Sequence, residues 1–585
     1  MARTPDIGET GRQRQRAQLG NWLSAQVDSR YAASHIAVTD ALETHVLFDG
    51  YLSDIDGMAA GERSPAAAVL ALYLESGLDF LPRLRGSYTC LIVDGHSNHA
   101  HLFNDRRASR PLFYRQEADA SLLIGPEVTL LAQASPPLHD IDPVAVCEFL
   151  LFASYYNDRT LFPAIRKLPP GSVMTLTPGA LAIQPYWEIR IDPDKRPADE
   201  PTLIEQGLAL FNQSINRLMC ATTQPFLFLS GGLDSRMILG GLRANGYHIP
   251  AVNYGTSEGD DTPIARQLAE LCKFPFTYMP IATDDLQDHF VAASFNSDCR
   301  AETIDSPTTE AMMPRLAKQF NSFLSGDITI MRRPASNHAE ALNRAGVFTF
   351  AQAHRLADLL DPRAFQQART SINQTVNAVL ESGRQLDPQD LMEKTYYEQR
   401  LANRQNAFLA AKLRYLEPAQ PWLDEDLVDF LFAIPGSLRA QKYITRKMLR
   451  TAHPDLANVP FAQQDSIPHA RTYRRIIPTT PALANFIRDQ FHDALDPRLA
   501  TLFRQDSLLK LVDSMLTGTP YPFSSAHWWS RLPGTWRIGA RRYATDRTHP
   551  VSLVLRLMQL NIYLSALDRH EPASKYPRAA ADVKE

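Results

Sequence analysis

The stretch PFLFLSGGLDSR, Pro225 to Arg236, limits the possible folds more than any other part of the chain. An apolar run ends at Ser230, two glycines follow, and Asp234-Ser235 opens a helical pattern. The run is too short for a helix and reads as a buried strand. Gly231 and Gly232 predict backbone conformations closed to other residues, with successive amides converging on one anion. The helix behind them adds its positive dipole end and unpaired N–H groups. Ser230 and Ser235 offer hydroxyls, and Asp234 a carboxylate able to hold Mg²⁺ against the same phosphates. A strand–turn–helix connection that only needs glycines is the bland alternative, and it fits a lone Gly-Gly better than Ser-Gly-Gly-x-Asp-Ser directly after a strand. No Gly-x-x-x-x-Gly-Lys loop is present, so the pattern points to a pyrophosphate cradle and to cleavage between α- and β-phosphates.

Around this unit the chain alternates: a helix over 202–219, the strand, a helix from Ser235, a strand at IPAVNYG and a helix through TPIARQLAELC. Such alternation predicts a parallel sheet with covering helices, an α/β unit. Before it, the short β-rich runs HVLFDGYLS, SYTCLIVDG, AHLFNDR, PLFYRQ and SVMTLT, with a helical PAAAVLALYLESG among them, predict an α+β layered domain. The polar, proline-containing stretch at 191–201 marks the boundary, giving a multi-domain chain of 1–195 and 202–585. A length of 585 residues exceeds what one core supports, which agrees. From about 340 onward the pattern is mainly helical, as in DEDLVDFLFAI and LLKLVDSML.

Composition removes several classes. With 44% hydrophobic and 21% charged residues the chain is neither disordered nor collagen-like nor a coiled coil. A balance of 60 basic against 64 acidic residues gives no reason to expect a nucleic acid partner. Five cysteines without a Cys-x-x-Cys pair suggest neither a zinc ribbon nor a disulfide framework, and reduced cytoplasm is the expected location. The polar N-terminal stretch lacks a secretory apolar segment, and no apolar run reaches the roughly 20 residues of a membrane span. VSLVLRLMQLNIYLSAL is broken by Arg556 and predicts a buried helix.

Ser230 to Ser235 matches the nucleotide motif of the ATP pyrophosphatases, and the flanking sequence resembles the asparagine synthetase family. Leu416-Glu417, Pro421-Trp422-Leu423-Asp424 and Lys442-Tyr443-Ile444-Thr445-Arg446 follow the family's order and spacing. LRGSYTCLIVDGHSNHAHLFNDRRASRPLFYR and LFPAIRKLPPGSVMTL resemble its glutaminase half, so the similarity covers roughly 45–465. The resemblance implies an N-terminal, degenerate, Ntn-type glutaminase-like β-sandwich with helices. It implies a C-terminal parallel-sheet ATP-pyrophosphatase (adenine nucleotide alpha hydrolase-like) synthetase domain with a helical C-terminal part. ATP and Mg²⁺ follow as cofactors, with Ser230, Gly231, Gly232, Leu233, Asp234, Ser235, Ser325 and Gly326 at the nucleotide. Lys442 is the implied catalytic cation, neutralising charge on phosphates and on the acyl intermediate, the alternative being an exposed lysine on a basic helix. Arg446 and Lys447 read as solvated or packed against the same loop. Asp327 takes the place of a family glutamate and joins Asp234 as implied metal ligand. A family aspartate just beyond is Ile330 here, leaving Asp327 or a carboxylate such as Asp305 to compensate.

Asparagine synthetases use an N-terminal cysteine to free ammonia from glutamine. This chain begins Met-Ala-Arg and its first cysteine, Cys90, falls in an expected strand, so the resemblance implies a glutaminase half without its nucleophile and with a shortened front. Asp49-Gly50 stands where the family has an Asn-Gly turn, and Phe48-Asp49-Gly50-Tyr51-Leu52 resembles the lasso peptide cyclases. The implied reaction is ATP-dependent macrolactam formation between a peptide α-amine and an Asp or Glu side chain, with a precursor peptide, a leader-peptide-binding protein and a processing peptidase as partners. A β-lactam synthetase-like small-ring cyclase, an ammonia-dependent asparagine synthetase and a decayed scaffold are the alternatives. Ala419 and the segment Phe408–Lys412 replace family residues that shape an aspartate pocket, which argues for a different acyl substrate. Tyr396 and Tyr397 invite comparison with a β-lactam synthetase tyrosine, or else lie one in the core and one on the surface of a helix. The tail SAHWWSRLPGTWRIGARRY reads as a helical cap rather than a nucleic acid platform.

Overall fold

The structure is a computed structural model describing residues 13–20, 22–29, 37–39, 43–55, 58–59, 64–119, 121–192, 199–255, 261–281, 286–302, 307–326, 334–346, 356–462, 477, 480–518 and 550–569. Asp305, Asp327, Ile330 and the Trp-Arg tail at 526–543 lie outside them.

Among the described residues the strands form four sheets. The front sheet is antiparallel, built on β4 (Thr44–Ile55), β6 (Leu84–Asp94), β7 (His99–Asn104), β11 (Ser172–Thr177) and β12 (Ala180–Pro185), with β3 (Ala37–Thr39) at one edge. Alternating side chains send Phe48, Tyr88, Cys90 and Ile92 to one face, where helix Pro65–Ser76 covers them. Leu47, Val93, Leu102 and Met174 go to the other. That face packs on the hairpin β1 (Gln13–Leu19) and β2 (Leu23–Ser29) and on a three-stranded sheet of β8 (Phe113–Gln116), β9 (Leu122–Gly125) and β10 (Ile165–Lys167). The expected sandwich with a helix outside it is what forms.

Asp49-Gly50 is not a turn. It lies inside the continuous strand β4, with Gly50 at φ +125°. A Cβ there would fall 2.0 Å from the Ser87 carbonyl oxygen and 2.7 Å from Arg110 Nε. Glycine is required by the positive φ and by the backbone of the neighbouring strand, Ser87 O and Tyr88 Cα, with Arg110 also close.

The second sheet is wholly parallel, ordered β15 (Phe276–Pro280), β14 (Ala251–Gly255), β13 (Pro225–Phe228), β16 (Ser322–Leu324), β17 (Glu417–Ala419). β13 is buried on both faces: Phe226 and Phe228 join Phe323 and Met313, while Leu227 and Leu229 enter the main core. Strand order runs outward from β13 to β15 and then reverses to β16 and β17. In open α/β sheets the crevice at such a reversal, at the carboxyl ends of the strands, is where ligands bind.

The two sheet regions share one apolar core, in which Phe113, Phe149 and Phe152 meet Leu227, Leu239 and Tyr563. Charged groups cross the same boundary. Arg110 bonds Asp49 at 2.8 Å and grips Glu417 through both carboxylate oxygens at 2.5 and 2.6 Å. Arg217 reaches Asp54 at 2.5 Å and Asp424 at 3.2 Å, and Arg85 reaches Asp426 at 3.0 Å. Helix Pro550–Asp568 is long and apolar enough to cross a membrane by length and composition, but 89% of it is buried in the protein. Its Arg556, which breaks the apolar run, meets Glu302 at 2.8 Å.

Candidate nucleotide site

The turn after β13 and the turn after β16 meet at the reversal point. Gly326 lies so close to the first turn that a Cβ on it would be 2.7 Å from Asp234 Cβ and 2.9 Å from Ser235 N. Ser325, beside it, is buried and accepts a 3.0 Å bond from Gln420, the residue after β17. We expect Gly326→Ala to force the two turns apart, lowering stability by about 1–3 kcal/mol and weakening nucleotide binding more than either neighbour's loss of packing explains. Calorimetric titration with ATP, beside a denaturation curve, checks this.

Within the first turn the serines lock each other: the hydroxyls of Ser230 and Ser235 are 2.9 Å apart, and Ser235 Oγ donates to the Ser230 carbonyl at 3.0 Å. Leu233 begins the helix Leu233–Ala244, whose cap residue Gly232 supplies no side-chain bond, so the helix N-terminus keeps its donors for an anion. Two sequence expectations fail here. Neither Gly231 nor Gly232 has a positive φ. Space decides instead, since a Cβ on Gly231 would lie 2.9 Å from Ala462 Cβ. Nor do successive amides converge: Gly231 N–H donates to Asp261 at 2.7 Å, while Gly232 N–H donates to Ser230 Oγ at 3.2 Å. The polar groups gathered at the mouth of the turn are therefore the two serine hydroxyls, with Gly232 N–H bonded to one of them, and the helix end.

Lys442 comes to this turn from 208 residues away and pairs with Asp234. Gln441 and Lys442 both hold left-handed backbone, φ 55° and 60°, just before helix Tyr443–Ala452. Non-glycine residues pay about 1–3 kcal/mol each for such conformations, and they persist where surrounding packing fixes them. The side chains of Lys442 and Asp234 keep 28% and 14% of their exposure, so the pair is open to a ligand. Arg446 is exposed and Lys447 pairs with Glu200 at 3.2 Å, as solvated residues.

Asp234 is a single carboxylate at the mouth of an anion cradle. Among the described residues no group of three or more His, Cys, Asp or Glu could hold a metal. That fits Mg²⁺, which takes one or two carboxylates and completes its shell with phosphates and water.

Sequence reasoning missed the supports of the turn. Asp261 accepts from Gly231 N–H and, at 3.0 Å, from Asn253 Nδ2, and Asn253 Oδ1 in turn accepts from the Thr262 hydroxyl. Trp422 Nε1 donates to the Asp234 carbonyl at 3.3 Å. Arg236 is fully buried, donates only to carbonyls, and is pushed down to about 10 by burial. A signal was available: a cation in the first turns of a helix opposes the helix dipole. Tyr396 and Tyr397 are both core residues, not one core and one surface. Burial raises the Tyr397 hydroxyl, far from a base's range. Cys90, Cys147, Cys272 and Cys299 are buried, and burial raises the Cys90 thiol; Cys220 is exposed. Two open clefts of about 970 and 880 Å³, beside Arg159 and Arg384, contain no residue of the turn.

A glutamine amidotransferase domain model matches residues 54–187, and an asparagine synthase model matches 206–328. Asparagine synthetase [glutamine-hydrolyzing] 3 of Bacillus subtilis is 23% identical over 308 residues, 48% of this chain and 50% of that protein. Asparagine synthetase [glutamine-hydrolyzing] 2 of the same organism is 22% identical, over 69% of this chain and 58% of that one. The amidase chry2 of Gibberella zeae is 26% identical over 34% of this chain and 29% of its own. The chain spans about half the length of the first of these relatives and under two thirds of each. With both models matched in this order, and the serine–glycine turn and Lys442 meeting where the parallel strands reverse, the chain is similar to the asparagine synthetases in its front region and in its parallel-sheet region.

Proposed function

We propose that this chain is an ATP-dependent, AMP-forming amide synthetase. The observation that carries the reading is the meeting of Lys442 and Asp234 at the mouth of the turn, on backbone strained to make it. A substrate carboxylate oxygen attacks the α-phosphorus of ATP, the bond to the bridging oxygen breaks, and pyrophosphate leaves into the cradle of Ser230, Gly232 and Ser235. An amine nitrogen then attacks the acyl carbon, the bond to AMP breaks, and the amine gives up its proton. Lys442 stabilises the negative charge on the phosphates and on the tetrahedral acyl centre. Mg²⁺ would be held by Asp234, with Asp327 the second candidate carboxylate, and supplies charge neutralisation between phosphates.

For the amine, the reading is a peptide N-terminus closing a macrolactam on an Asp or Glu side chain, as in lasso peptide cyclases. The cysteines of the front region, Cys90 and Cys147, are buried, which supports a nitrogen donor other than thiol-released ammonia. An α-amine, at about 7.7–8.0, is partly neutral near pH 7, and holding it in attack geometry is worth about 7–11 kcal/mol. Ala419, buried at the end of β17, leaves a methyl group where the resemblance places an arginine, which supports an acyl substrate other than free aspartate. The partners on this reading are a precursor peptide, a leader-peptide-binding protein and a processing peptidase, and the setting is the cytoplasm. The names of the Bacillus relatives favour a second reading, asparagine formation.

Intact-mass measurement on a candidate precursor with peptidase, ATP and Mg²⁺ separates them. Loss of one water that needs ATP supports the cyclase. AMP release with free aspartate and ammonium supports asparagine formation, and an unchanged mass with no ATP consumed under either condition overturns the synthetase.

A further inference from the structure

We propose that Arg236 is the positioning residue of the anion-binding turn, aiming Gly232 N–H toward the Ser230 hydroxyl and tying the turn to the segment 456–462. The inference rests on the reading that the turn binds pyrophosphate.

Arg236 Nη2 donates to the Gly231 carbonyl at 2.9 Å. The peptide that joins Gly231 to Gly232 is planar and trans, so its N–H points opposite to its carbonyl. Drawing the carbonyl back to Arg236 therefore turns Gly232 N–H toward Ser230 Oγ, 3.2 Å away, on the cradle side. Asp261 meanwhile consumes the neighbouring Gly231 N–H. The two supports hold Gly231 N–H on Asp261 and fix the direction of Gly232 N–H toward the Ser230 hydroxyl.

Arg236 Nη1 also donates to the carbonyls of Leu456 at 2.9 Å and Val459 at 2.6 Å, and Nη2 to that of Pro460 at 2.9 Å. Its guanidinium covers the Phe461 ring at 4.2 Å, and Ala462 packs on Gly231. One buried side chain thus holds the phosphate turn and the segment 456–462 as a single body. Among the described residues its hydrogen-bond acceptors are all neutral carbonyls, with no carboxylate at bonding distance, so its charge adds to the positive field at the helix end.

The test compares inorganic pyrophosphate with adenosine as ligands by calorimetry. In Arg236→Gln, pyrophosphate affinity is expected to fall about tenfold or more while adenosine affinity stays within about twofold; Arg236→Lys, which keeps charge but cannot span the carbonyls, falls between. Equal losses for both ligands, or no loss in a folded variant, overturn the proposal. If the variants do not fold, hydrogen exchange on the wild-type chain decides: added pyrophosphate should protect peptides over 230–236 and 456–462 together, and protection confined to the turn overturns the linkage. A wild type with no pyrophosphate affinity overturns the synthetase reading itself, a separate result from a wild type that binds it but shows no dependence on Arg236.

Discussion

Replacing Lys442 with alanine is expected to lower amide formation by about a hundred- to a thousandfold, the largest catalytic effect available in this chain. The ammonium is held at the mouth of the turn by Asp234 and by two consecutive left-handed residues, so no neighbouring cation can swing into its place without rebuilding the backbone. Lys442→Arg keeps the charge but carries a wider group into the same space, and a smaller loss follows. Lys442→Ala should leave the fold intact, because its side chain is partly exposed and its ion-pair partner Asp234 is also open to solvent. Quenched-flow measurement of AMP and product, with circular dichroism as the folding control, checks both points. A Lys442→Ala enzyme within about tenfold of wild type would remove the lysine from the chemistry.

The largest stability effect is expected at the bridge between the two sheets. Arg110 and Glu417 have side chains 7% and 6% exposed and are joined by two short bonds. Removing one partner strands the other, and Glu417→Ala or Arg110→Met should cost about 3–5 kcal/mol, whereas Arg110→Met with Glu417→Leu should recover most of that. Glu417 opens β17, and Gln420, the residue after it, holds Ser325, so the single variants should also weaken ATP binding while the double variant restores it. Urea denaturation beside ATP titration on the three variants measures this. Three equal losses would mean that packing, not the ion pair, sets the interface.

The strand–turn–helix unit at 225–244 was legible because its signals are local: a run of apolar residues, two glycines and a polar helix head. Its wiring was not. The Gly-Gly pair suggests unusual torsions, but the structure uses it for close approach by Ala462, far along the chain. Asp49-Gly50 reads as a turn for the same reason, since Asp-Gly is a common turn dipeptide. What actually demands glycine there is a positive φ inside a strand whose neighbour brings Ser87 O and Tyr88 Cα within 3 Å of any Cβ. Helix Leu233–Ala244 carries Gly240 in its interior, where a Cβ would lie 2.4 Å from His453, again a partner that periodicity cannot name.

Alone, the amino-acid order determined the alternating α/β segment, the antiparallel front segment, the phosphate-type turn and, through family resemblance, Lys442. Those depend on backbone preferences and apolar spacing over a few residues, which act before any distant contact forms. Tertiary structure decided that Gly232 N–H turns to the Ser230 hydroxyl, that Asp261 and Arg236 hold the turn, and that Arg110 and Glu417, 307 residues apart, join the two sheets. Each of these is a hydrogen bond whose partner is selected only when the strands have taken their order in the sheet and the core has closed around them.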